Sequence, residues 1–369
     1  MKATVRRLFA RGNTAHGAHF LYHSALSGLE HLFLLTGLPG TGKSTSIRRL
    51  ADEMTGKGWD TELYHSPLNP GDLDAVVFPA LKTGIADERA CEGIPFESIP
   101  HIVRFDYAQA VDESSLSAEA LNRIESLQGE LLDAYAKAYR TFAEAHRIHD
   151  EWESCYISSM DFQKADQVAQ ELIQSLLPEK ASQGNPRVRH LFFGAATPSG
   201  AVDHIQNLTA NMKKRIFIKG RAGCGKSTLL KRLASAAEER GYDVEVFHCG
   251  FDPNSLDMLI FPQLSTAIFD STAPHEYFPD RDSDSILDMY ERTVQPGTDE
   301  KFAAEIEDAK KRYKEKMKEA TAYLAEAREF DSRIKAIYAQ AADFAKIDQL
   351  HRELRQEIEQ IARSSSFFA

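Results

Sequence analysis

The sequence predicts an α/β protein of two similar halves, each a parallel sheet flanked by helices and followed by an α-helical hairpin. Three observations lead there. Two glycine-rich stretches, each between an apolar run and an amphipathic one, stand 183 positions apart. The residues around them align at that same spacing. After each such unit the glycines vanish and Ala, Glu, Lys, Leu and Gln take over.

The second glycine-rich stretch is Gly220-Arg221-Ala222-Gly223-Cys224-Gly225-Lys226-Ser227-Thr228, between Ile216-Phe217-Ile218 and Leu229-Leu230-Lys231-Arg232-Leu233-Ala234. Strand, glycine turn and helix in that order satisfy G-x-x-x-x-G-K-[ST], the P-loop. Gly220, Gly223 and Gly225 let backbone N–H groups close around phosphate oxygens, and the helix N-terminus adds partial positive charge. Lys226 is expected to reach the terminal phosphates and Ser227 to offer a hydroxyl to Mg²⁺, with Cys224 a small filler and Thr228 completing the set. The first copy is Gly37-Leu38-Pro39-Gly40-Thr41-Gly42-Lys43-Ser44-Thr45, after Leu32-Phe33-Leu34-Leu35. There Gly37, Gly40, Thr41, Gly42, Lys43, Ser44 and Thr45 are the corresponding nucleotide-binding residues. The expected cofactors are ATP and Mg²⁺.

The halves align without a gap from about Leu8 to Asp87. Thr14 meets Thr197, Gly17 meets Gly200, His65 meets His248 and Phe78-Pro79 meets Phe261-Pro262. This is a tandem duplication rather than a short-period solenoid. The second half offers five short strands, His190–Ala195, Arg215–Ile218, Val244–Cys249, Met258–Phe261 and Ala267–Asp270, with a helix over Ser227–Arg240. The helix between strands suggests βαβ units, with the nucleotide at the carboxyl edge of the sheet. The expected divisions are residues 1–107 and 184–297 for the two P-loop domains, and 108–183 and 298–369 for the helical segments. Gly184 and Asn185-Pro186 mark the link. The alternating charges of Glu300–Met317 suit an antiparallel helical hairpin laced with solvent-facing ion pairs. Each hairpin reads either as an appendage packed on its own half or as a lid or arm that docks a protein partner.

A P-loop enzyme needs an acid at the end of a neighbouring strand to hold Mg²⁺. Asp270 ends Thr266-Ala267-Ile268-Phe269-Asp270, and Asp87 ends Thr83-Gly84-Ile85-Ala86-Asp87. These two are the first choice; Asp257 and Asp74, also present in both halves, come second. His275 lies in Asp270-Ser271-Thr272-Ala273-Pro274-His275, where the first half reads Asp87-Glu88-Arg89-Ala90-Cys91-Glu92, so a role in positioning water or substrate belongs to the second half alone. His248-Cys249 does not read as a metal pair, because adjacent strand residues point to opposite faces. His16, His19, His23 and His31 fit no metal spacing as a set and receive no role.

Ala196-Thr197-Pro198-Ser199-Gly200, the second P-loop, Gly241-Tyr242-Asp243-Val244-Glu245, His248-Cys249, Asn254-Ser255-Leu256-Asp257 and the Thr-Ala-Pro-His turn together resemble a bacterial family of tandem-duplicated P-loop ATPases, whose members are labelled nucleotide-kinase-like. The resemblance spans nearly the whole chain and is strongest in the second half. It implies a P-loop fold in both halves and leaves the substrate open. The first half departs from it at His65-Ser66-Pro67 and after Asp87.

A formal net charge of −11 argues against a broad nucleic-acid or anionic-membrane surface. Four scattered cysteines without a C-x-x-C pair suit a reducing compartment. No apolar run follows the basic start and none approaches a membrane span, so a soluble cytoplasmic protein is expected. Three functions remain open: hydrolysis of Mg-ATP with the second site the more complete, phosphoryl transfer to an acceptor lying among His248, Asp252 and His275, or a nucleotide-gated scaffold without turnover. The duplicated halves are further expected to be able to pack as an intramolecular pseudo-dimer.

Overall fold

A computed structural model describes residues 3–91, 93, 95–96, 98–178 and 185–366. The expected 183/184 boundary, Gly184 and Glu92 lie outside the described residues. The first half begins with β1 (Val5–Leu8), the hairpin β2 (Arg11–Thr14) and β3 (Gly17–Phe20), the short helix α1 (Tyr22–Ala25), β4 (His31–Thr36) and the helix α2 (Lys43–Gly56) that follows the first glycine loop. Then come β5 (Thr61–His65), β6 (Leu73–Phe78), β7 (Thr83–Asp87) and β8 (His101–Asp106), followed by the long helix α3 (Ala118–Ile157) and α4 (Phe162–Leu176). The second half repeats the order: β9 (Val188–Phe192), β10 (Gly194–Thr197), β11 (Gly200–Asp203), α5 (Ile205–Thr209), β12 (Lys214–Lys219) and α6 (Lys226–Glu239). It continues through β13 (Val244–His248), β14 (Leu256–Phe261), β15 (Thr266–Asp270), β16 (Asp284–Asp288), α7 (Met289–Thr293), α8 (Thr298–Lys301), α9 (Ala303–Gln340) and α10 (Phe344–Ser366).

Each half carries a six-stranded sheet, in the orders β1-β5-β6-β7-β4-β8 and β16-β12-β15-β14-β13-β9. The sheets are mixed, not parallel as the sequence suggested. β6 runs antiparallel to β5 and β7, and β14 to β13 and β15. The cause is connection length. Residues 66–72 and 79–82, like 249–255 and 262–265, are too few for the crossover that a parallel neighbour requires. The expected strand His190–Ala195 is also divided, because Gly194 starts the separate hairpin β10–β11. β16 and β8 escaped the sequence reading. Their exposed, polar runs Asp284–Asp288 and His101–Asp106 lack the apolar signature of the central strands, yet each pairs in parallel with the strand that leads into the glycine loop.

The halves meet through contacts that repeat in both directions. Phe9 and Phe192, themselves 183 residues apart, exchange backbone hydrogen bonds of 3.0 and 3.1 Å. Beside them Arg6 and Arg189 each bond both Glu62 and Glu245. Burial would push the Glu62 carboxyl up, but Arg189 and Arg6 hold it down at about 2. A self-pairing residue and a reciprocal charge quartet are the marks of a self-complementary, two-fold-like contact.

The helices after each sheet do not fold back as hairpins. Instead α3 and α9 run antiparallel along each other, Ala134 beside Ala327 and Glu144 paired with Lys316. They cross where Ala138, Phe142, Ala320 and Leu324 are fully buried. The alanines explain the choice of partner, since small side chains let two long helices approach closely. At 1.5 Å per residue, the 40 residues of α3 span about 60 Å, enough to reach the opposite half. There α4 buries Val168, Ala169 and Leu176 with Leu229, Leu230 and Leu233 of α6. Reciprocally α10 buries Ile347, Leu350, Leu354 and Ile358 with Ile47, Leu50 and Met54 of α2. Each elbow is pinned on arrival: Asp161 N–H donates to Thr293 and Asp343 N–H donates to Ala110, both at 2.7 Å. The arms therefore cross, and each supports the other half's core rather than its own. None of the described helices is long and apolar enough to cross a membrane.

Candidate functional site

Both glycine loops sit at the carboxyl ends of β4 and β12, where a short turn must swing the chain into a helix. Gly37, Gly40 and Gly42 have φ of 112°, 79° and 77°; Gly220, Gly223 and Gly225 have 150°, 74° and 83°. Only glycine takes such values without strain, which is why the turn can present successive amides on one side. Gly42 and Gly225 cap α2 and α6 in the left-handed conformation. Leu73 N–H donates to Ser44 Oγ and Leu256 N–H to Ser227 Oγ, each at 2.9 Å, fixing both hydroxyls at the helix start.

The lysines curl over their own loops. Lys43 Nζ donates to the carbonyls of Gly37 at 2.9 Å and Leu38 at 2.8 Å, and Lys226 Nζ to that of Arg221 at 2.8 Å. Because β4 pairs with β7 and β12 with β15 in register, Asp87 lies opposite Leu35 and Asp270 opposite Ile218. This brings each acid to its lysine, at 3.7 Å for Lys43–Asp87 and 3.5 Å for Lys226–Asp270. Thr41 bonds the Leu38 carbonyl, Cys224 is buried against the loop, and Thr45 and Thr228 face solvent. Burial pushes the Lys43 ammonium down despite Asp87, and pushes Asp87 up despite Lys43. In the second half burial is outweighed by Asp270, Cys224 and Asp257, so Lys226 rises.

The two surroundings differ first at Arg11. Arg11, from β2, binds Asp74 at 2.7 and 3.2 Å and Ser66 at 3.2 Å. The residue 183 positions on is Gly194, where a Cβ would stand 2.6 Å from the Val202 carbonyl. Asp257, the counterpart of Asp74, therefore lacks that arginine. Burial and then the nearby Asp270 raise its carboxyl to about 6. On the same side His275 donates Nδ1–H to Asp203 at 2.8 Å, and Tyr277 donates to Asp203 at 2.8 Å. Burial pulls the His275 imidazole down, but Asp203, Asp257 and Asp270 together hold it above the ordinary histidine value. Asp203 was missed from sequence, because its counterpart Phe20 gave no paired signal.

The opposite arm reaches each loop. Gly223 N–H donates to Glu153 Oε1 at 3.2 Å, with the Glu153 carbonyl packed against the same glycine. At Gly40 the matching residue is Lys335, whose side chain pairs with Asp331 at 2.8 Å and Asp72 at 3.3 Å. Met160 and Ile347 pack on Gly225 and Gly42.

His248 and Asp252 are each engaged by other partners. His248 donates Nδ1–H to the Pro253 carbonyl at 2.6 Å and meets His190 through Nε2 at 2.8 Å. Asp252 accepts from Ser255 and the Asn254 amide and contacts His16. Searches against family models, curated proteins and solved structures find no match to this chain.

Proposed function

We propose that this chain is a P-loop NTPase that binds Mg-ATP and hydrolyses it in its second half, related to the tandem-duplicated P-loop ATPases it resembles. The observation that carries the reading is the second loop itself: left-handed glycines, a helix start, Lys226 and Asp270 converge within bonding reach. Its chemistry fits a phosphate ligand, since the Gly223 amide already holds an anionic oxygen, that of Glu153. The Gly220–Thr228 backbone would cradle the phosphates, and Lys226, charged at neutral pH, would stabilise charge that develops on the transferring group. Ser227 and Asp270 would hold Mg²⁺, which when bound neutralises the β- and γ-oxygens. Asp257, its carboxyl raised to about 6, and His275, whose Nε2 is left to carry a proton while Asp203 holds Nδ1, are the groups to orient water and exchange its proton. The first loop keeps Lys43 and Ser44 for nucleotide binding, and Arg11 neutralises the acid beside it.

Hydrolysis is favoured over phosphoryl transfer because His248 and Asp252 are committed to other partners. The docking of Glu153 on Gly223 couples the arm to the loop, so a bound nucleotide would compete with the arm. The test is ADP release from Mg-ATP with and without a pool of nucleosides and small metabolites. Turnover that needs no pool is expected. Turnover that appears only with the pool would make the protein a kinase, and tight binding without turnover would make it a gated scaffold.

A further inference from the structure

His16, His146 and Asp252 gather from three separate parts of the chain. His16 lies in the turn between β2 and β3, His146 on the long arm α3, and Asp252 in the loop after β13. One ligand atom from each lies within 4.8 Å of the other two. His16 Nε2 is 3.2 Å from Asp252 Oδ1, and His146 Nε2 is 3.9 Å from Asp252 Oδ2. The imidazoles thus both turn Nε2 to one carboxylate, while Asn254 Nδ2 touches His16 Nε2 at 3.3 Å. Behind His146, Asp150 stands 3.6 Å from Nδ1, the place from which an outer carboxylate fixes the tautomer of a metal-binding histidine. Ser255 Oγ and the Asn254 amide hold the Asp252 carboxylate at 2.7 and 3.1 Å.

We propose that His16, His146 and Asp252 form a site for a divalent transition ion, zinc being the best match. Two imidazole nitrogens and one carboxylate oxygen suit zinc and its neighbours, whereas magnesium and calcium take oxygen sets. Three protein ligands leave a fourth position to water. The grouping does not follow from the duplication. The matching positions carry Ser199, Arg328 and Asn69, so only one side of the molecule has the donors. His16 is 46 % exposed, which gives an ion a way in. The site would join the first half, its arm and the second half. Glu153, seven residues beyond His146 on the same helix, would then be fixed over Gly223. His16 carries no signal of its own in the sequence, because its partners are far along the chain.

The test uses the full chain without nucleotide. Zinc bound per chain is measured by equilibrium dialysis for wild type, His16→Ser, His146→Ala, Asp150→Asn and His23→Ala. His16→Ser copies the residue at the matching position of the other half and lies in an exposed turn, so the fold is not at risk. One ion per chain is expected, with affinity reduced at least ~100-fold in His16→Ser and His146→Ala, ~10-fold in Asp150→Asn and unchanged in His23→Ala. Cobalt in place of zinc should give visible d–d bands that His16→Ser abolishes. Substoichiometric zinc in wild type, or affinity and bands unchanged in His16→Ser, would overturn the site.

Discussion

The first and second loops share a backbone, a lysine, a serine and a strand-end acid, and differ in what stands beside the next acid. In the first half Arg11 closes on Asp74, making a satisfied, buried ion pair. In the second, Gly194 stands in the arginine's place, and burial with the neighbouring Asp270 raises the Asp257 carboxyl to about 6. The arms repeat the contrast, with Lys335 engaged by carboxylates on one side and Glu153 bonded to a loop amide on the other. Duplication thus preserved the frame twice while the charges around each loop diverged, and on the function proposed above the first site is structural and the second reactive.

The comparison breaks most sharply at the strand-end acids. Asp270→Asn should lower ADP release by ~10²–10³-fold, the scale of losing one preorganised electrostatic partner. Asp87→Asn should leave it nearly unchanged; equal losses would erase the distinction between the halves. Next in size is Arg11→Ala, which strands a buried carboxylate and should cost about 3 kcal/mol in urea unfolding with turnover preserved. A gain in stability, or loss of turnover, would mean that Arg11 is not the structural plug described here.

A further contrast is one of pH. Burial holds His65, His204 and His248 down at about 4. In the unfolded chain they take protons near 6.5, so stability should fall as pH drops from about 6.5 to 4. His275 has the opposite sign: raised in the fold, it contributes stability below about 6.5 that is lost as pH rises through its folded value. Urea midpoints against pH would show both slopes. His65→Asn should flatten the acid one, and an unchanged slope would place the acid sensitivity elsewhere.

Much of this was legible in the residues. The glycine loops, the duplication and the Asp87 and Asp270 strand ends are local patterns, and the backbone places each acid beside its lysine. What sequence reading lost was long-range. The antiparallel β6 and β14 could have been read from their short connections. The crossing of the arms could not, because the apolar stripe of α4 says only that it is buried, not against which of α2 and α6. Asp203 and His16 were hidden for the same reason, since their meaning comes from His275 and Asp252, which folding brings to them.

The most direct test of a reactive second half beside a structural first half is ADP release from Mg-ATP by wild type, Lys43→Ala and Lys226→Ala, with nucleotide binding followed in parallel. Turnover should fall at least ~100-fold in Lys226→Ala and stay within about threefold in Lys43→Ala. Turnover that survives Lys226→Ala, or that Lys43→Ala abolishes equally, would contradict the account.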